Sequence, residues 1–455
     1  MVLPPEQAGQ ASTAAGDERV RNRQIRLAAV ASVVGTSIEW YDFFLYGTAA
    51  AIVFPAVFFP KSSAYAGTLE SFATYAVGFA ARPVGAAIFG HWGDRIGRKA
   101  TLIVTLLMMG LASALVGVLP GTATIGVAAP VLLVILRLLQ GIAVGGEWSG
   151  SVLLSMEWGQ QRRRGLMASW PQIGVPIGLL LGTGAMTAIA LSDQSAFKAW
   201  AWRIPFLASL LLVAIGLWVR LKVLETPMFA QLVQRKSVAR IPTLEVLRRY
   251  PRQVLLSALL RMSEQAPFYI YSAFALTYIK DHLHKSEGLG LAAVTVGGAL
   301  ELILIPMFGN LSDTAGRRRV YATGAALIGV TAFPAFLLMN TRAAGLVILG
   351  VAIIAIPHSI QYGPQASYIA ENFPTSLAYA GSGLGYQTAS LIAGGPAPLL
   401  ATWMLPNFGW QAICVYIIAC AVLTLIAVAL LPDRRQADLT EAPVLAPVSG
   451  RAAPG

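Results

Sequence analysis

The sequence predicts an all-α membrane protein with twelve transmembrane helices in two six-helix halves. Of its 455 residues, 56% are hydrophobic and only 12% are charged. A chain of this composition cannot cover a soluble core with polar surface, so most of its surface must face lipid. Apolar runs of the roughly 20 residues that cross a bilayer occur twelve times, and one polar, basic stretch divides them into two sets of six.

The predicted spans lie on either side of that basic loop, residues 222–252. The N-terminal half, 27–221, contains apolar runs at 27–55, 69–90, 100–119, 127–156, 165–190 and 202–221. The C-terminal half, 253–431, contains runs at 253–280, 288–309, 320–340, 344–369, 377–402 and 409–431. Residues 1–26 and 432–455 are predicted as polar tails, and the first is expected to be retained because the run after it is too long for a signal-peptide core.

The distribution of lysine and arginine predicts the orientation, because these residues are enriched in cytoplasmic loops. A cytoplasmic N-terminus assigns 24 of the 33 basic residues to that side. We therefore expect a multi-pass protein of the cell (plasma or inner) membrane with both tails cytoplasmic. Topology and attraction to anionic lipid then account for the net charge of +12, so no nucleic-acid partner is predicted. We expect a monomer.

Two loops at equivalent places in the halves share one pattern. "GHWGDRIGRK" at 90–99 and "GNLSDTAGRRR" at 309–319 both follow Gly-x-x-x-Asp-x-x-Gly-Arg-basic, and each joins the second helix of its half to the third. The second glycine of the pattern, Gly97 or Gly316, permits positive φ. The aspartate can lie at the positive N-terminus of another helix and act as a latch. The alternative is a turn that only sets topology. The predicted gating residues are Gly90, Asp94, Arg95, Gly97, Arg98, Asp313 and Arg317.

The first of these loops and "RLLQG" at 137–141 resemble the major facilitator superfamily, and the resemblance covers nearly the whole chain. "EWYDFFLYG" at 39–47, "RLLQGIAVGGEWSG" and "WRIPF" are similar to its metabolite:proton symporter family, which includes shikimate, 2-oxoglutarate, citrate and proline/betaine carriers. Residues 260–278 most resemble shikimate-type members. Ser376 and Ala378 stand where that family usually carries arginines, which argues against a basic inner gate there.

Two carboxylates interrupt the first apolar run. Glu39 and Asp42 each cost roughly 2.5–3.5 kcal/mol at a helix centre, so they need a function or a partner. The resemblance implies that an acid of the first helix and the arginine of the fourth form the proton-coupling pair, here Asp42 and Arg137. Asp42 would be held by Arg137 when ionised and released when protonated. Glu39 is an alternative partner for the same arginine.

The seventh predicted helix supplies another arginine, Arg261, which shares a helix face with Glu264. The repeat offset places Arg261 opposite Asp42 across a central cavity, where a guanidinium can bind a carboxylate bidentately. The alternative is a static ion pair. Arg82 and Glu301 occupy equivalent places in the repeat, and spacing leaves open whether they touch. The remaining predicted substrate-binding residues are Glu264, Tyr41, Tyr46, Gln172, Tyr269 and His358.

These observations predict a proton-coupled symporter that imports a small organic anion, either shikimate-like or a di- or tricarboxylate. The sequence shows no Walker loop, metal cluster or nucleophile–base set, so we expect no enzymatic activity, no metal and no cofactor other than the coupling proton. One alternative is a proline or betaine symporter, which would use aromatic faces for the ammonium group. Others are a proton/drug antiporter with a larger apolar cavity, and a membrane sensor with a folded extramembrane domain.

Overall fold

The computed structural model of the chain describes residues 5–192, 196–234 and 241–435. This part is almost entirely helical and contains no strand, and the predicted all-α membrane fold is confirmed.

In the N-terminal half the long helices are α1 Pro5–Ile52, α2 Ala64–Ile96, α3 Arg98–Val118, α4 Ala128–Trp158, α5 Arg164–Ser192 and α6 Arg203–Leu221.

The C-terminal half repeats this arrangement with two interrupted helices. α7 consists of Pro251–Leu260 and Met262–Tyr269, continued by Ile270–Phe274, Ala275–Thr277 and Tyr278–His282. α11 consists of Ala378–Ala389, continued by Ser390–Gly394 and Pro396–Phe408. The continuous helices are α8 Glu287–Ala315, α9 Arg317–Asn340, α10 Ala344–Ala370 and α12 Trp410–Leu430.

Ten helices of the described ranges are long and apolar enough to cross a membrane. The two others are α1, which carries Glu39 and Asp42, and α7, which is interrupted at Arg261. In α7, Pro267 lacks a backbone N–H donor, and a π-helical turn, Ile270–Phe274, follows it. Such turns are frequent at functional sites. The two helices outside this set thus carry four of the predicted functional charges, Glu39, Asp42, Arg261 and Glu264.

The segments outside the membrane helices differ in part from expectation. The first helix begins at Pro5, so much of the predicted N-terminal tail extends α1. The basic loop contains two short helices, Pro227–Gln234 and Pro242–Arg249, and a proline at the first position of each suits a helix start. Most of the predicted C-terminal tail, residues 436–455, lies outside the described residues.

An aromatic cluster joins the two halves near the middle of the bundle. Trp40 of α1 packs edge-on against Phe268 of α7, with ring centroids 6.0 Å apart. Phe79 of α2 packs in the same way against Tyr269, at 5.4 Å. Phe43 contacts both Phe79 and Tyr269. All five side chains are buried, so the polar groups behind them in each half are shielded while the halves are in contact.

Candidate functional site

Two arginines of the N-terminal half lie on aromatic faces around Phe43. The guanidinium carbon of Arg82 is 4.6 Å from the Phe43 ring centroid and 4.5 Å from that of Phe79. The guanidinium carbon of Arg137 is 5.0 Å from the Phe43 centroid and 4.2 Å from that of Tyr46. Both arginines are 2% exposed. Cation–π contacts of this kind stabilise a cation but do not neutralise it.

Neither guanidinium has a carboxylate within ion-pair distance among the described residues. Arg137 donates one hydrogen bond, from Nη1 to Gln140 Oε1 at 3.2 Å, and its buried Nε and Nη2 have no partner in the described part of the chain. The two arginines also repel each other electrostatically. Aromatic faces and one amide oxygen therefore hold the two guanidiniums, without a direct carboxylate partner in the described part of the chain.

Asp42 forms no ion pair with either arginine and binds a hydroxyl of α6. Its Oδ1 accepts a hydrogen bond from the Ser209 hydroxyl at 2.5 Å, and Ser113 of α3 is a second hydroxyl that interacts with it. Its Oδ2 is buried without a hydrogen-bond partner in the described residues. The predicted direct contact between Asp42 and Arg137 is thus absent, because the carboxylate binds the Ser209 hydroxyl of α6 while the Arg137 guanidinium lies over the rings of Phe43 and Tyr46.

Glu39 also lacks the predicted partner. It is 4% exposed, and its Oε2 makes no hydrogen bond within the described ranges. Its strongest charged neighbours are Glu147, Arg82 and Arg220, not Arg137. Glu147 itself forms a buried ion pair with Arg220 of α6 and accepts a hydrogen bond from Thr105. The sequence reasoning missed the role of Arg220, which lies in the last turn of α6.

Three predicted substrate-binding side chains already use their polar groups within the protein. The Tyr41 hydroxyl donates to the Pro205 carbonyl at 2.8 Å, which ties α1 to α6. The Tyr46 hydroxyl shares a hydrogen bond with Thr74 at 2.8 Å. Gln172 accepts from Trp148 Nε1 at 2.8 Å and donates to the Tyr362 carbonyl at 3.3 Å.

The structure therefore reassigns these three side chains. Tyr41 stabilises packing within the N-terminal half, whereas Gln172 links the halves. Tyr46 contributes its ring face to Arg137. Each polar group is thus already engaged within the protein.

Arg261 is enclosed by groups of its own half. Its Nε lies 3.1 Å from Glu264 Oε2 and 3.2 Å from Gln365 Oε1. Its Nη1 donates to the Tyr386 carbonyl at 2.5 Å and to the Ser390 hydroxyl at 3.2 Å. Only Nη2 is buried without a partner in the described residues. The predicted placement of Arg261 across a cavity from Asp42 is not observed, since each side chain contacts only its own half.

The remaining C-terminal residues form a chain of charged groups behind Phe268. His358 of α10 lies between Glu301 of α8, at 2.6 Å, and Glu264 of α7, at 3.5 Å. Glu301 also accepts a hydrogen bond from the Tyr271 hydroxyl. Glu301 and Arg82, the repeat-equivalent pair, do not touch. Tyr269 faces the N-terminal half, and its hydroxyl has no partner within the described ranges.

The side chains of the two loop aspartates each lie at the N-terminus of another helix, as predicted. Asp94 accepts hydrogen bonds from the backbone N–H groups of Tyr379 and Ala380 in the first turn of α11, at 3.2 and 3.0 Å. Asp313 accepts from those of Gly165 and Leu166 in the first turn of α5, at 2.8 and 3.0 Å. Each carboxylate thus binds the opposite half, where unpaired N–H groups and the helix dipole favour a negative charge.

Each aspartate is followed four residues later by a buried arginine. Arg98 lies 3.5 Å from Asp94 and 3.2 Å from Glu157, at the end of α4. It also donates to the Thr375 carbonyl of the opposite half at 3.0 Å. Arg317 lies 2.8 Å from Asp313 and 3.1 Å from Glu371, just after α10. The sequence reasoning missed both glutamates, although each stands at the same end of the fourth helix of its half.

The other residues of the loop pattern have distinct roles. Gly97 and Gly316 have φ values of 111° and 102°, which confirms the predicted positive φ. A Cβ at Gly90 would lie 2.7 Å from Ala380 Cα, so this glycine lets α2 approach α11. Arg95 is exposed, and its Nη1 is 3.3 Å from His91 Nε2. Arg95 therefore takes no part in the contact that Asp94 makes.

Comparison with known proteins agrees with this architecture. A family model described as Major Facilitator Superfamily matches residues 32–396 and 268–449. The chain is 41% identical over 418 residues to a shikimate transporter of Escherichia coli strain K12, covering 90% of this chain and 95% of that protein. It is 32% identical over 394 residues to a proline/betaine transporter of the same strain, covering 84% and 78%.

A solved structure supports the fold at lower sequence similarity. A proton:xylose symporter bound to 6-bromo-6-deoxy-D-glucose superposes with a TM-score of 0.72 at 17% identity, covering 91% of this chain and 97% of that one. At this identity the likeness concerns the fold alone.

Proposed function

The chain belongs to the major facilitator superfamily and is a multi-pass membrane transporter, and on this premise we propose that it imports a small organic anion together with protons. The observation that supports this most directly is the pair of buried arginines, Arg82 and Arg137, neither of which has a carboxylate within ion-pair distance in the described chain. A transported anion would supply the missing charge.

Physical chemistry favours a carboxylate at this pair. A buried cation without a counter-ion is costly, and a guanidinium binds a carboxylate through two parallel hydrogen bonds. Each charge-assisted hydrogen bond contributes about 1.5–3 kcal/mol. Arg261 is less suited, because Glu264 already occupies part of its guanidinium. We therefore place the substrate carboxylate at Arg82 and Arg137, with Arg261 Nη2 as a secondary donor.

Charge balance suggests how a proton would be coupled to the anion. Within the membrane, the N-terminal half carries equal numbers of buried acids and arginines: Glu39, Asp42, Glu147, Arg82, Arg137 and Arg220. A proton on Asp42 leaves this half with one net positive charge, which attracts an anion. Release of that proton restores the balance and favours release of the substrate. We assign the coupling proton to Asp42, with Glu39 as the alternative site.

The loop contacts would control access. Asp94 and Asp313 hold the halves together at the end of the bundle that carries the two loops. We propose that this end is cytoplasmic, as the distribution of basic residues predicts, and that these contacts break when the transporter opens inward. Alternating access by rocking of two halves around a central site requires a closed state of this kind.

A zwitterion symporter for proline or betaine is the second candidate, and the proline/betaine relative supports it. An ammonium substrate would need free aromatic faces. Here the faces of Phe43, Tyr46 and Phe79 are already covered by the two guanidiniums, which favours an anion. Buried arginines also disfavour the drug antiporter, whose cavity would be mostly apolar.

The test is counterflow and uptake by the purified full-length protein in proteoliposomes. Labelled shikimate, 2-oxoglutarate, citrate, benzoate and proline would be compared with and without an inward proton gradient. We expect uptake of an organic acid that the gradient drives, and its loss in Arg82→Gln and Arg137→Gln. Arg252→Gln, at an exposed arginine of the basic loop, is the matched control. Transport of proline alone would overturn the anion assignment.

A further inference from the structure

His358 lies between two carboxylates in the interior of the C-terminal half. Its Nδ1 is 2.6 Å from Glu301 Oε1, and its Nε2 is 3.5 Å from Glu264 Oε1. The ring is 1% exposed. Phe268 stacks on it with ring centroids 5.1 Å apart and Tyr362 at 5.2 Å. Both ring nitrogens therefore face acidic oxygens, and aromatic rings cover the imidazole.

This geometry specifies how many protons the group holds. A neutral imidazole has one N–H donor and one nitrogen lone pair. In either neutral tautomer, one nitrogen would direct its lone pair at a carboxylate oxygen, which is repulsive. An imidazolium donates Nδ1–H to Glu301 and brings its positive charge to 3.5 Å from Glu264, so both contacts become attractive. The arrangement thus favours one proton more than a neutral histidine would carry.

The surrounding charges agree with this count. The charged groups that face His358 are Glu264 from α7 and Glu301 from α8, and Arg261 of α7 pairs with Glu264 on its far side. The nearby titratable hydroxyls are Tyr271 of α7, Tyr321 of α9, Tyr362 of α10 and Tyr386 of α11. With His358 protonated, two acids balance two cations. Without that proton, a buried negative charge remains.

The aromatic cover connects this group to the interface between the halves. Phe268 lies between the His358 ring and α1, where it packs against Trp40 and Phe44. When the halves separate, this contact opens and water can reach the imidazolium. The Nε2–H bond then breaks, the proton passes to water, and a neutral ring remains with Nδ1–H donating to Glu301.

We propose that Glu264, His358 and Glu301 form a second proton-binding site, separate from Asp42, which releases its proton once in each transport cycle. The binding of the proton follows from the geometry alone, whereas its release during transport rests on the proposed function. Asp42 and His358 lie in different halves and share no contact. The transporter would therefore move one more proton with each substrate molecule than Asp42 alone provides.

Nuclear magnetic resonance of the full-length protein tests the binding site without any substrate. The chain has only four histidines, and the other three, His91, His282 and His284, are not buried. With ¹⁵N-labelled histidine rings, at a pH about one unit above the ordinary histidine pKa of ~6.5, we expect one doubly protonated ring among neutral ones. His358→Gln should remove that signal, Glu301→Gln should convert it to a neutral ring, and His282→Gln should leave it unchanged. A neutral His358 ring in the parent would overturn the proposal.

A second measurement tests whether the proton moves. The proton-to-substrate ratio would be found in proteoliposomes from the membrane potential at which shikimate flux reverses under a fixed pH gradient. We expect His358→Gln to move one proton fewer per substrate than the parent, and His282→Gln to match the parent. An unchanged ratio in His358→Gln would overturn the transport role while leaving organic-anion symport intact. If no organic acid were transported, the proposed function would fall. The ¹⁵N signals of the histidine rings would still show whether His358 holds the proton.

Discussion

Asp42 and Arg137 are connected through two intervening side chains instead of touching. Arg137 donates to Gln140 Oε1 at 3.2 Å, and Gln140 Nε2 donates to the Ser113 hydroxyl at 2.8 Å. Ser113 in turn interacts with the Asp42 carboxylate. A change of charge on Asp42 can therefore reorient this polar chain and alter the hydrogen bonding of Arg137 at the proposed substrate site.

We expect Asp42→Asn to uncouple transport from the proton gradient. Asparagine keeps the size and one acceptor oxygen of aspartate but carries no proton that can be exchanged. Uphill uptake driven by a pH gradient should fall to background while substrate exchange persists, measured with labelled substrate in proteoliposomes. Tyr41→Phe, which removes a neighbouring hydroxyl bonded to the Pro205 carbonyl, should remain coupled. Full accumulation by Asp42→Asn would assign the coupling proton to another group.

Arg82, Arg137 and Arg261, three of the buried arginines, should respond differently to substitution. Arg82→Gln and Arg137→Gln each remove a cation without a direct carboxylate partner among the described residues, so stability should be retained while affinity for an organic acid falls roughly ten- to a hundredfold. Arg261→Gln leaves the buried Glu264 without its arginine partner and should cost about 3–5 kcal/mol. Thermal unfolding and calorimetric binding on purified protein would separate these effects.

The double variant Arg261→Gln with Glu264→Gln is the control for that comparison. Removing both members of the pair leaves no isolated charge, so much of the lost stability should return. If Arg261→Gln alone were as stable as the parent and abolished binding, Arg261 would replace Arg82 and Arg137 as the main carboxylate site.

The two loop aspartates should have similar effects on the conformational equilibrium. Each accepts two backbone N–H groups and pairs with an arginine. The charge that only the first loop carries, Arg95 in place of Thr314, lies outside the contact. Asp94→Asn and Asp313→Asn should each weaken closure by about 0.5–2 kcal/mol, as loss of a helix cap does.

That change would shift the ratio of closed to open states roughly two- to thirtyfold. It can be followed by labelling of introduced cysteines from each side of the membrane, since both native cysteines are buried. Labelling that matched the parent in both variants would mean that these loops serve topology and not gating.

Glycine is required at the turn of each loop. Gly97 and Gly316 combine φ values of 111° and 102° with extended ψ values of 159° and 141°, a region that costs other residues about 1–3 kcal/mol. Alanine at either position should lower stability by that amount. Gly184→Ala, inside α5 with no neighbouring atom within 4 Å of the added carbon, should be neutral or slightly stabilising. Equal thermal shifts in all three variants would contradict this.

Local patterns predicted the fold and the loop contacts well. Runs of apolar residues specify membrane helices because the bilayer requires every span to be long, apolar and internally hydrogen-bonded. The duplicated loop pattern placed Asp94 and Asp313 at equivalent points of two similar halves. Because both halves carry the same pattern, each aspartate meets a helix start of the opposite half.

The site was harder to predict because helix rotation decides which side chains meet. Asp42 and Phe43 are neighbours in the sequence, yet one contacts Ser209 inside the N-terminal half and the other lies at the interface with the C-terminal half. Spacing along α1 shows that Glu39 and Asp42 share a face, but it does not show which helix that face meets.

The sequence by itself determined the membrane class, the twelve helices and which charged residues lie within the bilayer at an energetic cost. These follow from the composition and from the length and position of the apolar runs. Only the tertiary structure decided how those charges are paired. It placed Glu264 on Arg261, Glu301 on His358, and no carboxylate of the described chain on Arg82 or Arg137. Pairing between helices depends on rotations and crossings that packing of the whole bundle sets, and a one-dimensional pattern does not contain them.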